Sequence, residues 1–195
     1  MLTAIIATHE SERLLVPTLA ALVPAAATGL LTAVVVADGA SRDGTAEIAE
    51  LAGCRFMSST QPVGSRLKSA AASTRSPWLM FLRAGVIPQV GWIDAAERFI
   101  EKAETREGAA CAAVFRSPGP SDYMRPGLAE IAGLLRAAIG GYPGAEQGLL
   151  IARRFYQAIG GHPGGPDAES ALFRRLGRRR LAVLGTTVSV IRQDT

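Results

Sequence analysis

Two short acidic segments carry the residue types best suited to chemistry. The first, Thr8-His9-Glu10-Ser11-Glu12, follows an apolar run from Leu2 to Ala7. The second, Asp38-Gly39-Ala40-Ser41-Arg42-Asp43-Gly44-Thr45, follows a β-branched run from Thr32 to Ala37. Carboxylates and hydroxyls at the ends of buried strands stand where open α/β sheets bind their ligands. Neither segment is a glycine-rich phosphate loop. Gly-x-Gly-x-x-Gly does not follow the first run, and Gly-Lys-Ser/Thr and Gly-x-Ser-x-Gly occur nowhere. That excludes a dinucleotide fingerprint, a P-loop and a serine hydrolase of the elbow type. Two acidic turns after consecutive buried strands point to a pocket around Thr8, Glu10 and Asp38. The plain reading of Asp38 is a turn or cap residue, and Asp43, Gly44 and Thr45 read as helix capping.

A second group of chemical side chains is basic. The chain has 21 Lys and Arg against 17 Asp and Glu, a net charge of +4. Much of the excess sits in Arg174, Arg175, Arg178, Arg179 and Arg180. Arginine's planar fork suits phosphate oxygens, and a solvated helix face is the competing reading. Aromatic residues make up 6% of the chain and do not interleave with these arginines, so no base-stacking surface and no nucleic-acid partner are expected. A peripheral contact with anionic lipid stays open. Cys54 and Cys111 are the only cysteines, which gives neither a disulfide framework nor a zinc site. The start of the chain lacks a basic n-region and no apolar run reaches ~20 residues, so a cytoplasmic protein is expected.

The elements that must position these groups alternate. Strands are predicted at Leu2–Ala7, Thr32–Ala37, Cys54–Ser58 and Pro77–Leu82. Helices are predicted at Ser11–Val23, Thr45–Leu51, Val63–Thr74 and Gly91–Ala103. Gly85 and Pro88 read as a break. The alternation implies a mostly parallel sheet with right-handed crossovers. The second half is less regular: a strand at Ala109–Phe115, a loop at Ser117–Pro120, a helix at Leu128–Ile139 and a glycine-rich stretch at Gly140–Gly148. Short helices at Arg153–Ile159 and Glu169–Leu176 and a strand at Leu181–Ile191 follow. At 195 residues the chain reads as one domain. Residues 1–105 form a regular half and 106–195 an irregular one.

In this order the motifs resemble the family 2 glycosyltransferases, which have the GT-A fold. Thr8-His9-Glu10 stands for the family's Thr-x-Asn-Glu. Ala37-Asp38-Gly39-Ala40-Ser41-Arg42-Asp43-Gly44-Thr45 matches its Val-Asp-Asp/Gly-Gly-Ser-x-Asp-Gly-Thr. Gly64-Ser65-Arg66 resembles its Gly-Arg helix, and Phe81-Leu82-Arg83-Ala84-Gly85, then Pro88 and Trp92, its Phe-Leu-x-Ala-Asp strand. A bacterial subgroup has Gly-Asp-Gln-Gly, Arg-Arg and Gly-Gly-Phe, against Glu146-Gln147-Gly148, Arg153-Arg154-Phe155 and Gly160-Gly161-His162-Pro163. The resemblance implies a GT-A-like Rossmann-type α/β sandwich with helices flanking the sheet. It implies a nucleotide-sugar partner, UDP-linked above all, with residues 1–105 binding the nucleotide and 106–195 the acceptor. Asp38 would accept from a nucleobase N–H, Thr8 and Glu10 would touch base and ribose, and Arg66 would approach the diphosphate. Glu146 and Gln147 would face the acceptor. For Glu10 a surface charge, and for Arg66 an exposed helix arginine, are the alternatives. Trp78 and Trp92 read as core.

Two departures from the family concern the reacting end. The carboxylate that holds a divalent metal, Mn or Mg, is replaced by Gly85, so no metal ligand and no certain cofactor are expected. The family's Glu-Asp pair, whose Asp is the general base, becomes Ala168-Glu169 when aligned on Leu172-Phe173-Arg174-Arg175-Leu176. Glu169 is therefore the expected base, with Asp167 as a second candidate. Arg83, on the same strand end as Gly85, is expected to supply the missing positive charge, with Arg66 and Arg192 adding to it. The competing reading makes Arg83 a strand-end cap in a nucleotide-binding paralogue that has lost catalysis and acts as a partner or regulator.

Overall fold

The computed structural model describes residues 1–105, 111–116, 144–165 and 167–192. The first half alternates as its apolar runs dictate: β1 (Leu2–Thr8), α1 (Glu12–Ala27), β2 (Leu31–Asp38), α2 (Thr45–Leu51), β3 (Arg55–Ser58), α3 (Val63–Ala72) and β4 (Trp78–Arg83). Then come β5 (Val86–Pro88), α4 (Trp92–Thr105), β6 (Ala112–Arg116), β7 (Leu149–Ala152), α5 (Arg153–Ala158), α6 (Ala168–Leu176) and β8 (Leu181–Val190). Short 3-10 turns lie at Ala145–Gln147 and Arg178–Arg180. Helix α1 runs past Val23 through Pro24, because Ala25 is fully buried on the next turn. The loop expected at Ser117–Pro120 and the helix expected at Leu128–Ile139 lie outside the described residues.

The strands form a sheet in the order β3-β2-β1-β4-β7-β6-β8-β5. Strands β3, β2, β1 and β4 are parallel, β7 is antiparallel to both β4 and β6, and β6 is parallel to β8. The sheet is thus mostly parallel, as expected. From β1 the chain first builds outward to β2 and β3, then returns to add β4 on the other side of β1. The carboxyl ends of β1 and β4, where that reversal falls, are the usual ligand position in such sheets.

Two expected features differ. The stretch after Gly85 is not a plain break: Val86–Pro88 pairs antiparallel with β8 at the sheet edge, where a proline costs no ladder hydrogen bond. Strand β7 was not expected, because four apolar residues between a glycine and a helix have no readable period. Its direction matters for the site. A strand antiparallel to β4 brings its amino end, with Glu146 to Gly148 before it, to the edge where β1, β2 and β4 finish.

The core lies on both faces of the sheet. Leu2, Ala4 and Ile6 pack with α1 and α4 side chains on one face. Ile5 and Ala7 pack with Leu67, Tyr156, Leu172 and Phe173 on the other. All seven β1 residues are buried. Trp78 and Trp92 are core residues, as expected, and their indole N–H groups donate to Glu104 and to the Ala21 carbonyl. Cys54 is a free thiol.

Candidate functional site

Register puts the residues singled out by the sequence side by side. Thr8 pairs with Asp38 across β1 and β2, and Ala7 pairs with Arg83 across β1 and β4. Asp38, Thr8 and Arg83 therefore follow one another along the carboxyl edge of three adjacent strands.

Asp38 is 0% exposed, and its carboxylate is fully engaged. One oxygen accepts from the Thr8 and Ser41 hydroxyls, the other from the Ser41 N–H at 2.8 Å and the Ser58 hydroxyl at 3.1 Å. Four donors fill about four lone-pair sites. Burial pushes the Asp38 pKa up, and the Ser41, Thr8 and Ser58 hydrogen bonds outweigh it, so the group is held below the usual value of 3.8. Ser58 makes the longest of the four bonds.

The loops after β1 and β2 clasp each other. The Glu10 N–H donates to the Ser41 hydroxyl and the Arg42 N–H to the Glu10 carboxylate. The Glu12 N–H donates to Asp43 and the Gly44 N–H to the Glu12 carboxylate. Glu10 and Ala40 hold positive φ, at +48° and +61°. Each costs about 1–2 kcal/mol for a residue with a Cβ. The reciprocal hydrogen bonds keep both in place. Asp43 also accepts from Thr45, so the capping expected of these residues is what they do. His9 bonds the Gly39 carbonyl through Nδ1 at 3.0 Å.

Arg66 lies beneath this clasp. Its guanidinium donates to the backbone carbonyls of Thr8 at 2.9 Å, Ala37 at 2.6 Å and Gln61 at 3.2 Å. A Cβ on Gly39 would approach its guanidinium carbon to 3.2 Å, so the glycine makes room for it. Burial lowers the Arg66 pKa and the nearby Asp38 charge opposes the shift.

At the β4 end, Arg83 and Glu169 form an ion pair with each other. The Arg83 Nε donates to both Glu169 oxygens, at 3.1 and 3.0 Å, and Nη2 also binds Oε2. The arginine side chain is 46% exposed and the glutamate 14%. The Glu169 hydrogen bond raises the Arg83 pKa against a desolvation cost, and the charges of Glu169 and Glu146 add to it. Glu146 pairs in turn with Arg192 at 3.3 Å. Gln147 is a brace: its amide donates to the Phe115 carbonyl and accepts from the Gly144 N–H. Asp167 is exposed at the start of α6 and makes no side-chain cap.

Glu169 reaches this edge through a close approach that the sequence does not announce. A Cβ on Gly64 would lie 1.9 Å from the Pro163 carbonyl oxygen and 2.5 Å from the Ala168 Cβ. Only a bare α-carbon in the first turn of α3 lets Pro163 and Ala168 settle there. Glu169 is the next residue of α6.

The residues present do not fit a divalent cation at the position the resemblance implies. Gly85 has φ +89°, and a Cβ there would lie 2.4 Å from the Ile191 carbonyl oxygen. Its N–H donates to the Thr18 hydroxyl, and its carbonyl accepts from the Ile191 N–H. A carboxylate at this position would have to push aside the end of β8. The neighbouring Arg83 brings a cation instead. No cluster of three or more His, Cys, Asp or Glu capable of holding a metal occurs among the described residues.

Beneath the pair lies a buried polar contact that the sequence reading missed. The Tyr156 hydroxyl bonds His162 Nδ1 at 2.9 Å and accepts from the His162 N–H, while both rings pack on Phe81. The buried imidazole is neutral there, because burial disfavours its charged form. Burial holds the His162 pKa down to about 4 and pushes Tyr156 up to about 12. An unfolded histidine protonates near pH 6.5, the folded one not until about 4. Stability is therefore complete above pH 6.5 and falls as pH drops towards 4, by about 3 kcal/mol over the window. Urea unfolding at pH 7 and pH 4.5 is expected to show a loss of about 2–3 kcal/mol, most of it absent in His162→Gln. An equal loss in that variant would remove His162 as the cause.

With this geometry in place, comparison with known proteins decides the family. The glycosyl transferase family 2 model matches residues 3–175. The chain belongs to that family. No curated protein matches the sequence. Among solved structures, glucosyl-3-phosphoglycerate synthase from Mycobacterium tuberculosis with Mn2+, UDP and glucosyl-3-phosphoglycerate superposes with a TM-score of 0.70 at 18% identity. It is covered over 73% of its length by 100% of this chain. The same enzyme with phosphoglyceric acid gives a TM-score of 0.71 at 19% identity, again 100% of this chain and 73% of that one. A further mycobacterial protein gives 0.71 at 19%, with 100% and 68% covered. These likenesses establish the GT-A fold. In this family 2 chain Gly85 stands where the motif it resembles has a carboxylate, and Arg83 stands two residues before it. No described helix is long and apolar enough to cross a membrane.

Proposed function

We propose that the chain transfers a glycosyl group from a uridine-diphosphate sugar to an acceptor hydroxyl, with Arg83 in place of a divalent cation. The observation that carries this reading is the position of Arg83 at the carboxyl edge of β1 and β4, one strand from the Thr8–Asp38 pair. Solved relatives of the fold hold UDP and UDP-glucose, which supports the donor class. In this reading residues 1–105 bind the nucleotide and 106–195 the acceptor, as two halves of one domain. Thr8, Glu10 and Asp38 receive base and ribose, and Ser58 gives way to the base N–H. Arg66 fixes the backbone carbonyls around them. Glu146 and Gln147 border the acceptor side.

The step balances simply. The acceptor oxygen bonds the anomeric carbon, its proton passes to Glu169, and the bond from that carbon to the diphosphate breaks with its electron pair leaving on oxygen. Arg83 compensates the charge that grows on the leaving diphosphate. Asp167 is the second candidate for the proton. The Arg83–Glu169 pair also favours a second reading, a nucleotide-sugar-binding paralogue without transfer, because the carboxylate is committed to a guanidinium. A cytoplasmic location accords with both. A peripheral contact with anionic lipid would rest on Arg174, Arg178 and Arg179, all exposed.

Calorimetric titration with uridine, UDP and UDP-sugars, followed by assay for released UDP, tests the proposal. Binding with UDP release supports transfer, and binding without release under any acceptor supports the second reading. No binding of any uridine compound would overturn both.

A further inference from the structure

We propose that the Glu169 carboxylate is a placeholder for the donor's diphosphate, and that phosphate oxygens displace it from the Arg83 fork. The displaced carboxylate is then the group that takes the acceptor's proton, so donor binding arms the site. This rests on the functional reading above and deepens it at the Arg83 fork.

The geometry of the pair is the first argument. Arg83 Nε and Nη2 present parallel donors, and both Glu169 oxygens sit on them. A phosphate offers the same two-oxygen edge with more charge. Glu169 therefore occupies the fork in the way a phosphate would. The two cannot share it.

Strength is the second argument. The arginine side chain is 46% exposed, so solvent reaches and screens its half of the pair, while Glu169 is only 14% exposed. Arg83 lies one strand from Thr8 and two from Asp38, at the edge where a diphosphate would run from a base near Asp38.

Charge is the third. Glu146 also acts on Arg83, and Glu146 is itself paired with Arg192. An arriving diphosphate adds negative charge beside Glu146 and Glu169, and that repulsion favours Glu169 leaving the fork. A glutamate still on the Arg83 fork has both oxygens engaged by N–H donors, and leaving the fork frees them to meet the acceptor hydroxyl.

The test is calorimetric titration of uridine, UDP and inorganic diphosphate, in EDTA, into the parent, Glu169→Gln, Glu169→Ala, Arg83→Ala and Arg83→Ala/Glu169→Gln. Removing the placeholder is expected to tighten UDP and diphosphate by about 2–5-fold, and uridine not at all. In the Arg83→Ala background the same change at Glu169 is expected to do nothing. A merely structural Glu169 would instead weaken uridine and UDP together. Equal or weaker UDP binding in both Glu169 variants, with uridine bound as by the parent, overturns the placeholder and leaves the nucleotide site standing. Failure of every variant to bind uridine or UDP overturns the nucleotide site and the placeholder with it.

Discussion

Gly85→Asp, which restores the residue type of the family's metal position, is expected to destabilise the protein and to bind no Mn2+. The side chain would start from a Cβ 2.4 Å from the Ile191 carbonyl oxygen, on a backbone at φ +89°. That oxygen belongs to the chain end that hydrogen-bonds back to Gly85, so it cannot move alone. Positive φ and the backbone contact together cost about 3–5 kcal/mol. For a chain of this length the melting temperature should fall by roughly 10 °C. Gly85→Ala should lose most of the same amount, because the conflict begins at Cβ. A Gly85→Asp protein that melts with the parent and gains a Mn2+-dependent rise would show that the metal site is only one substitution away.

Asp38→Ala is expected to cost about 3–5 kcal/mol of stability as well as nucleotide affinity. Thr8, Ser41 and Ser58 direct four donors at this carboxylate. The hydroxyls can turn, but the Ser41 N–H is fixed by a loop in which Ala40 holds φ +61°. Asp38→Asn keeps one carbonyl oxygen and should lose about half as much. The group is held below pKa 3.8, so its contribution is complete above that pH and disappears as pH falls through the folded value. That acid limb should vanish in Asp38→Asn, and it lies below the window of His162. Uridine binding, measured where each variant is folded, should weaken by about 1–3 kcal/mol. Unchanged stability in Asp38→Ala would contradict the clasp, and unchanged uridine affinity would remove Asp38 from the nucleotide site.

The legible parts were those with local causes. Leu2–Ala7 and Thr32–Ala37 are apolar or β-branched runs ended by acidic turns, and they became β1 and β2 with Thr8 and Asp38 paired at their ends. The order of motifs identified the family before any contact was known. The illegible parts are contacts between distant segments. Nothing local to Arg83 or Glu169 indicates that they meet, since 86 residues separate them. Gly64 reads as part of a helix motif, yet its effect is the docking of Pro163 and Ala168. Strand β7 is too short to have a period, and its direction alone carries Glu146 to the site. The one available clue to Tyr156–His162 was a tyrosine and a histidine six residues apart in an apolar stretch, which is weak without the fold.

The central claim is that a guanidinium has taken over the work of a metal at the diphosphate. Its most direct test is UDP-sugar binding in the parent and in Arg83→Ala, each with EDTA and with Mn2+. Binding by the parent that is the same with EDTA and with Mn2+, and that falls by tenfold or more in Arg83→Ala under both conditions, is the predicted result. Strict dependence of the parent on Mn2+, or affinity indifferent to Arg83, would contradict it.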